Sequence, residues 1–215
     1  MKITKYGHAC LLVEEGEARV LIDPGKWNPL PDAENVDVVL ITHEHQDHVD
    51  VEQLKAIMAT NPEACVVTHE GVGEAVLNPA NIAYAPIEEG GRIDIKGVPI
   101  ESFGHDHAPL YGDVSPCRNT GYLIGEKLFV PGDALHDVPG KTVEFLALPT
   151  GGPWMKLAEA VDYVKQVKPK VAFPIHDAVY IEEYQRGLVP SFMSNNLKDS
   201  GIEFRDLPAG KSIDL

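Results

Sequence analysis

A chain of 215 residues, 44% hydrophobic and 24% charged, carries enough apolar surface for a sizeable core, and a single domain over 1–215 is expected. The formal net charge of −15 argues against nucleic acid and against an anionic membrane surface, since both need a basic face. Three cysteines (Cys10, Cys65, Cys117) without a CxxC pair point to neither a disulfide framework nor a thiolate zinc site, and with no apolar N-terminal stretch or span of about 18 apolar residues the cytoplasm is the expected location.

In chain order, short strands are predicted over 2–6, 9–14 and 18–23, before Pro24-Gly25 breaks the pattern and a loop follows over 26–34. The β-branched, apolar run 36–42 reads as a buried strand. Asp50, with Gln53 three residues on, resembles a capping box, and Val51, Leu54, Ile57 and Met58 at helical spacing predict a helix to about residue 60. A strand over 64–68, a short helix over 71–77, and strands over 92–95 and 98–103 about a Lys96-Gly97 turn come next. Further strands are predicted over 121–124, 127–130 and 142–148. A helix then presents Leu157, Ala160, Val161, Val164 and Val167 on one face and stops at Pro169. A strand over 171–175, one or two helices and a last strand near 203–207 complete the chain. Two series of strands, each followed by helices, imply two mixed sheets face to face with helices outside.

The segment Thr42-His43-Glu44-His45-Gln46-Asp47-His48 says most about chemistry. At period-two spacing His43 and His45 leave the strand end in the same direction, while Asp47 and His48 sit at the turn into the next helix. Four such groups around one point strand buried polar atoms unless a cation satisfies them. Three later strands also end in a possible ligand: Phe103-Gly104-His105-Asp106-His107, Phe129-Val130-Pro131-Gly132-Asp133 and Phe173-Pro174-Ile175-His176. Imidazole and carboxylate without thiolate suit a borderline divalent ion.

In these pieces, with Leu21-Ile22-Asp23-Pro24, the chain resembles the metallo-β-lactamase superfamily over essentially its whole length. The resemblance implies an α+β fold, a four-layer αββα sandwich, with two divalent ions, Zn²⁺ first and Mn²⁺ or Fe²⁺ as alternatives, at one edge of the sheets. By position, His43, His45 and one of His105 and His107 would hold the first ion, with His107 preferred. Asp47, His48 and His176 would hold the second, Asp133 would bridge the two, and Asp23 would fix a ligand imidazole. The Gly7-His8 pair resembles small stand-alone hydrolases of the ascorbate-phosphate-lactonase type. His45 in place of Glu departs from the diiron oxygen-reducing branch, and Asp133 in place of Cys from the antibiotic-degrading enzymes.

The implied activity is hydrolysis of a small ester, lactone, thioester or phosphoester by metal-activated water, with Asp47 also orienting the nucleophile or shuttling its proton. Two other readings stay open: a metal-dependent sensor without turnover, and a mononuclear iron oxygenase on the same ligands. For His8, facing the site mouth and a structural role are both open. His136 reads as a surface-loop residue over a substrate donor, Trp154 as core over pocket wall, and His69 as structural. Loops 24–35, 104–118 and 149–154 are expected to line the pocket of a small-molecule substrate.

Overall fold

Alternation along the strands decides how they stack. In β2 (Cys10–Glu15), Leu11 and Val13 point to one face and Cys10 and Leu12 to the other, and all four are buried. A strand buried on both faces needs a covering layer on each. The computed structural model describes residues 1–29 and 31–215, so residue 30 of the loop expected over 26–34 lies outside the described residues.

Six strands, β1 (Lys2–Gly7), β2, β3 (Ala18–Ile22), β4 (Val38–Leu40), β5 (Cys65–Thr68) and β6 (Ala85–Pro86), lie side by side in chain order. The second sheet runs through β7 (Arg92–Ile95), β8 (Val98–Phe103), β9 (Gly121–Ile124), β10 (Leu128–Val130), β11 (Phe145–Pro149), β12 (Val171–Ile175) and β13 (Glu203–Phe204). The last strand, β14 (Lys211–Asp214), returns to the first sheet and pairs antiparallel with β1. The helices are α1 (Val51–Thr60), α2 (Glu70–Val72) continuing into a π-helical turn Gly73–Leu77, α3 (Leu157–Val167) and α4 (Val189–Leu197), the last preceded by a π-helical turn Tyr184–Leu188.

Three apolar layers follow. Between the sheets, Leu11, Val13 and Ile22 meet Tyr122, Leu128 and Phe173. Leu54 and Ile57 of α1 pack on Cys10, Leu12 and Val39 at the outer face of the first sheet. Ala160, Val164 and Met193 of α3 and α4 pack on Leu123, Leu146 and Ala172 of the second. The order is helix, sheet, sheet, helix, the αββα sandwich that the sequence implies. Each fully buried Leu, Ile or Phe contributes about 1.5–3 kcal/mol.

Strand direction places the functional edge. β1 and β3 are both antiparallel to β2, and β3, β4 and β5 are mutually parallel, so β1, β3 and β4 end on the same edge. β8 and β10 are both antiparallel to β9, and β10, β11 and β12 are parallel, so their ends also coincide. His8, Asp23 and Thr42 follow the first group; His107, Asp133 and His176 follow the second.

Several boundaries differ from expectation. The strand expected over 36–42 is laddered only at Val38–Leu40. At its ends other groups replace ladder partners: Asn61 Oδ1 accepts from Val36 N, and Asp23 Oδ1 accepts from Thr42 N, both at 2.8 Å. The strand expected over 142–148 begins at Phe145 because its partner β10 begins at Leu128. The last expected strand shrinks to Glu203–Phe204, and β14 was not foreseen, since its Lys-Ser-Ile-Asp sequence has little apolar signal. Half of the capping box forms. Asp50 Oδ1 accepts from Gln53 N at 2.9 Å, but the Gln53 side chain turns away and donates to the carbonyls of Gly25 and Asn28.

Candidate metal centre

The turn at 43–48 is fixed from both sides. Lys26 N donates to Gln46 O at 2.7 Å, and Asp50 N donates to Pro24 O at 3.1 Å, so the loop after β3 zips onto the turn. A Cβ at Gly25 would lie 1.9 Å from Asp47 O; only glycine permits that approach. On the other sheet, Asn119 Oδ1 accepts from Asp133 N at 3.0 Å while its Nδ2 donates to Pro131 O at 2.8 Å, which pins the loop carrying Asp133. Three strand-end residues adopt left-handed backbone: His8 (φ 23°), Asp23 (φ 47°) and His176 (φ 54°). Such non-glycine conformations cost about 1–3 kcal/mol each. Here they turn the side chains from the strand direction into the shared edge.

Two nests of ligand atoms result. His43, His45, His107 and Asp133 form one, and His8, Asp47, His48 and His176 the other, with the atoms of each nest within 4.8 Å of one another. Asp133 lies between them. Its Oδ2 is 2.9 Å from His176 Nε2, 3.4 Å from His107 Nε2 and 3.9 Å from His43 Nε2, and its Oδ1 is 3.1 Å from His48 Nε2. Asp47 Oδ2 is 3.4 Å from His176 Nε2 and 3.9 Å from His48 Nε2.

Outer partners set which ring nitrogen faces inward. Thr42 donates its hydroxyl to Asp23 Oδ2 at 2.8 Å and so accepts from His43 Nδ1 at 3.0 Å. His48 Nδ1 donates to Asp23 Oδ2 at 2.7 Å, His107 Nδ1 to Ala108 O at 2.6 Å and His176 Nδ1 to Gly151 O at 2.6 Å. In all four rings Nδ1 carries a proton outward, so that the neutral imidazole presents its Nε2 lone pair to the centre. His8 is the exception. Its Nδ1 accepts from Ala178 N at 3.2 Å, which puts its proton on Nε2, and Nε2 donates to Asp47 Oδ2 at 3.2 Å. The tautomer makes His8 a brace for Asp47, although distance alone counts it with the nest.

Among the described residues, Nε2 of His48, His107 and His176 and Oδ1 of Asp133 are buried without a hydrogen-bond partner. An unsatisfied buried polar group costs about 1–3 kcal/mol. Inward lone pairs, nearby carboxylates and no thiolate together form a donor set that fits divalent cations. Cys117 stands outside both nests. Its Sγ lies 3.9 Å from His45 Nε2, but burial, then the Glu44 and Asp133 carboxylates, push the thiol up to about 12.

Electrostatically the nests differ. Burial, then the neighbouring imidazoles, hold His43 and His45 below their ordinary value. For His48 and His176 burial acts in the same direction, but Asp133, with Asp23 beside one and Asp47 beside the other, outweighs it; His176 is raised to about 9. Burial would raise Asp47 and Asp133, yet the imidazoles around them win, and both lie below the usual carboxylate range. Burial takes His8 down to about 4, so it stays neutral, as its two hydrogen bonds require.

Of the residues expected at the centre, His43, His45, Asp47, His48, His107, Asp133 and His176 converge, and Asp23 holds His48 from behind. His105 does not: its side chain is 53% exposed and bonds Asp106 Oδ1 at 2.8 Å. Trp154, expected in the core, stands instead at the edge of the centre, its Nε1 donating to Asp133 Oδ2 at 3.0 Å. The strand-to-helix loop before α3 lifts it clear of the apolar layer. His136, expected in a surface loop, is a half-buried loop residue whose ring lies against Gly104. His69 caps α2, accepting from Gly71 N at 3.1 Å, as a structural residue would.

Sequence reasoning missed Thr42, Asn119 and a buried ion pair behind His176. Lys5 Nζ lies 2.8 Å from Asp177 Oδ1 and donates to Pro174 O at 2.9 Å, with both side chains at most 5% exposed. The signal was present: Lys5 shares the inward parity of Ile3 and Gly7 in β1, where a lysine needs a buried partner.

Residues 2–176 match the model of a family described as a Beta-lactamase superfamily domain. A Mycobacterium tuberculosis protein is 35% identical, over 83% of this chain and 85% of its own. The UPF0173 metal-dependent hydrolase of Carboxydothermus hydrogenoformans is 32% identical, over 82% of this chain and 84% of its own. Among solved structures, the metallo hydrolase Igni18 of Ignicoccus hospitalis superposes with a TM-score of 0.74 at 21% identity, covering 99% of this chain and 97% of that one. The isothiocyanate hydrolase from Delia radicum gut bacteria gives 0.75 at 17% identity, covering 100% and 99%.

Proposed function

The chain belongs to the metallo-β-lactamase superfamily, and from that membership together with the paired nests we propose that it is a metal-dependent hydrolase working with two divalent ions, Zn²⁺ foremost, on a small ester, lactone, thioester or phosphoester. One observation carries the reading: three buried Nε2 lone pairs and a carboxylate oxygen lacking partners face one another around Asp133. Relatives named metal-dependent hydrolases support it.

In this reading His43, His45 and His107 hold the first ion, Asp47, His48 and His176 the second, and Asp133 both. A bound pair of this kind supplies water of lowered pKa, from 15.7 to about 7, and polarises the bond to be cleaved. The chain contributes orientation. Asp23 and Thr42 keep His43 and His48 in the tautomer that presents Nε2, and Gly151 O does the same for His176. Trp154 fixes the plane of the Asp133 carboxylate through Oδ2. Asp47, held by His8 on one oxygen and only 13% exposed, is placed to accept a proton from a reacting group at the centre.

Metal quantification with a panel of lactone, thioester and phosphodiester substrates tests the proposal, with His43→Ala as the blank. Two ions per chain and turnover of one substrate class are expected. One iron per chain with oxygen uptake, or two ions without hydrolysis anywhere in a broad panel, would overturn it.

A further inference from the structure

Beside the first nest a cavity of about 440 Å³ opens toward the start of α3. That is the scale of a small-molecule site. His107 and Trp154 belong both to the cavity wall and to the centre, since each places a nitrogen within 3.4 Å of Asp133 Oδ2. A molecule whose reacting group sits at Asp133 therefore has this space open to its substituent. Ala108, Pro109, Ala134 and Leu135 make the wall apolar, and the chain past Pro109 continues with Leu110, Tyr111 and Val114, which are 48%, 93% and 77% exposed.

The charges at the cavity are one-sided. Asp106 and Glu159 line it and no Lys or Arg does among the described residues; of its two histidines, His107 belongs to the first nest and His136 is held below its ordinary value by burial. An anionic substituent would meet two carboxylates and no counter-charge. The larger hollow in the molecule, about 620 Å³ beside α1 and lined by Met58, Ile82 and Tyr84, has no cluster of metal-ligating groups.

We propose that this cavity takes the uncharged, apolar arm of the substrate, an alkyl or aryl group attached to the hydrolysed ester or lactone, and disfavours substrates whose arm bears a carboxylate, phosphate or sulfate. The assignment rests on the hydrolase reading and narrows it to substrates whose arm is uncharged.

The test uses the full-length, metal-loaded protein with straight-chain alkyl hydroxamates of two to six carbons, followed by calorimetry. A buried methylene is worth about 0.8 kcal/mol, so each added carbon should tighten binding about three- to fourfold. Leu135→Gln should flatten that series. A hydroxamate ending in a carboxylate should bind at least tenfold more weakly than its alkyl counterpart, and Asp106→Lys, at an exposed position, should recover most of that loss. No dependence on chain length, or equal binding of the carboxylate-ended compound, would overturn the assignment. The matching nitrophenyl ester series separates the two readings. Ester turnover without a chain-length trend removes the cavity assignment and keeps the hydrolase; a clear hydroxamate trend without turnover of these esters or of any lactone, thioester or phosphodiester in the panel removes the hydrolase and keeps the cavity as an apolar binding site.

Discussion

The two nests around Asp133 draw on the same ligand types but are built differently. The first takes two of its imidazoles from adjacent places in one turn, His43 and His45, and leaves His45 only half-buried. The second likewise takes neighbours from that turn, Asp47 and His48, adds His176 from the other sheet with His8 bracing Asp47 from a third segment, and leaves Asp47 partly exposed. Burial, then the neighbouring imidazoles, lower His43 and His45 in the first nest; in the second, carboxylates outweigh burial and raise His48 and His176. His43 and His45 are therefore ready to donate lone pairs at neutral pH, whereas His48 and His176 must exchange protons for a cation.

The largest test of this contrast is the residue common to both nests. Asp133→Ala should remove both ions and lower turnover by about 10³-fold. If elemental analysis still finds two ions with near-normal turnover, Asp133 does not join the nests. Next come the private ligands. His176→Ala should leave one ion per chain in the first nest, and His45→Ala one in the second, with the two populations distinguishable in cobalt absorption spectra. Identical spectra from the two variants would mean that the nests are not separate sites.

Asp23→Asn keeps the size of the side chain but weakens the hold on His48 Nδ1 and on Thr42. Affinity at the second nest should fall about 10–100-fold, as for other outer-partner losses, and less at the first. Competitive chelator titration reads both values, and an equal loss at the two would contradict the asymmetry.

The pH dependence follows from the second nest. In metal-stripped protein His176 is raised to about 9 from an ordinary 6.5, so its stabilising contribution is complete below about pH 6.5 and disappears as pH rises through 9. The lowered Asp47 and Asp133 contribute above the ordinary carboxylate range and are lost only as pH falls below it. Between pH 6.5 and 9.5 the stripped protein should therefore lose Tm while the loaded protein does not, and calorimetry should show the gap widening. A constant gap would place the proton exchange elsewhere. The smallest effect belongs to Trp154→Phe, which removes one hydrogen bond to Asp133, worth about 1 kcal/mol. It should weaken metal binding several-fold without changing the stoichiometry, which the same chelator titration measures.

Much of this was legible beforehand. The continuous apolar run of β2, the period-two alternation of β8 and the helical spacing in α1 and α3 announced the layers, because burial on both faces or on one leaves its mark in the sequence. The turn at 43–48 announced the chemistry because its ligands are adjacent in the chain. Less could be said where partners are distant. Nothing local separates His105 from His107; the backbone does, where His107 N donates to Cys117 O and the ring turns toward Asp133. Trp154 was misread because an aromatic at a helix start looks the same whether the preceding loop buries it or aims it at a carboxylate.

The amino-acid order alone determined the ligand types, the strands that end in them and the layered architecture, since these depend on side-chain chemistry and local periodicity. Only the tertiary structure decided that His8 braces Asp47, that Trp154 reaches Asp133 and that an apolar cavity adjoins the first nest. Those relations join separate segments of the chain, 39 residues apart for His8 and Asp47, and they follow from strand order and left-handed strand ends rather than from any single segment.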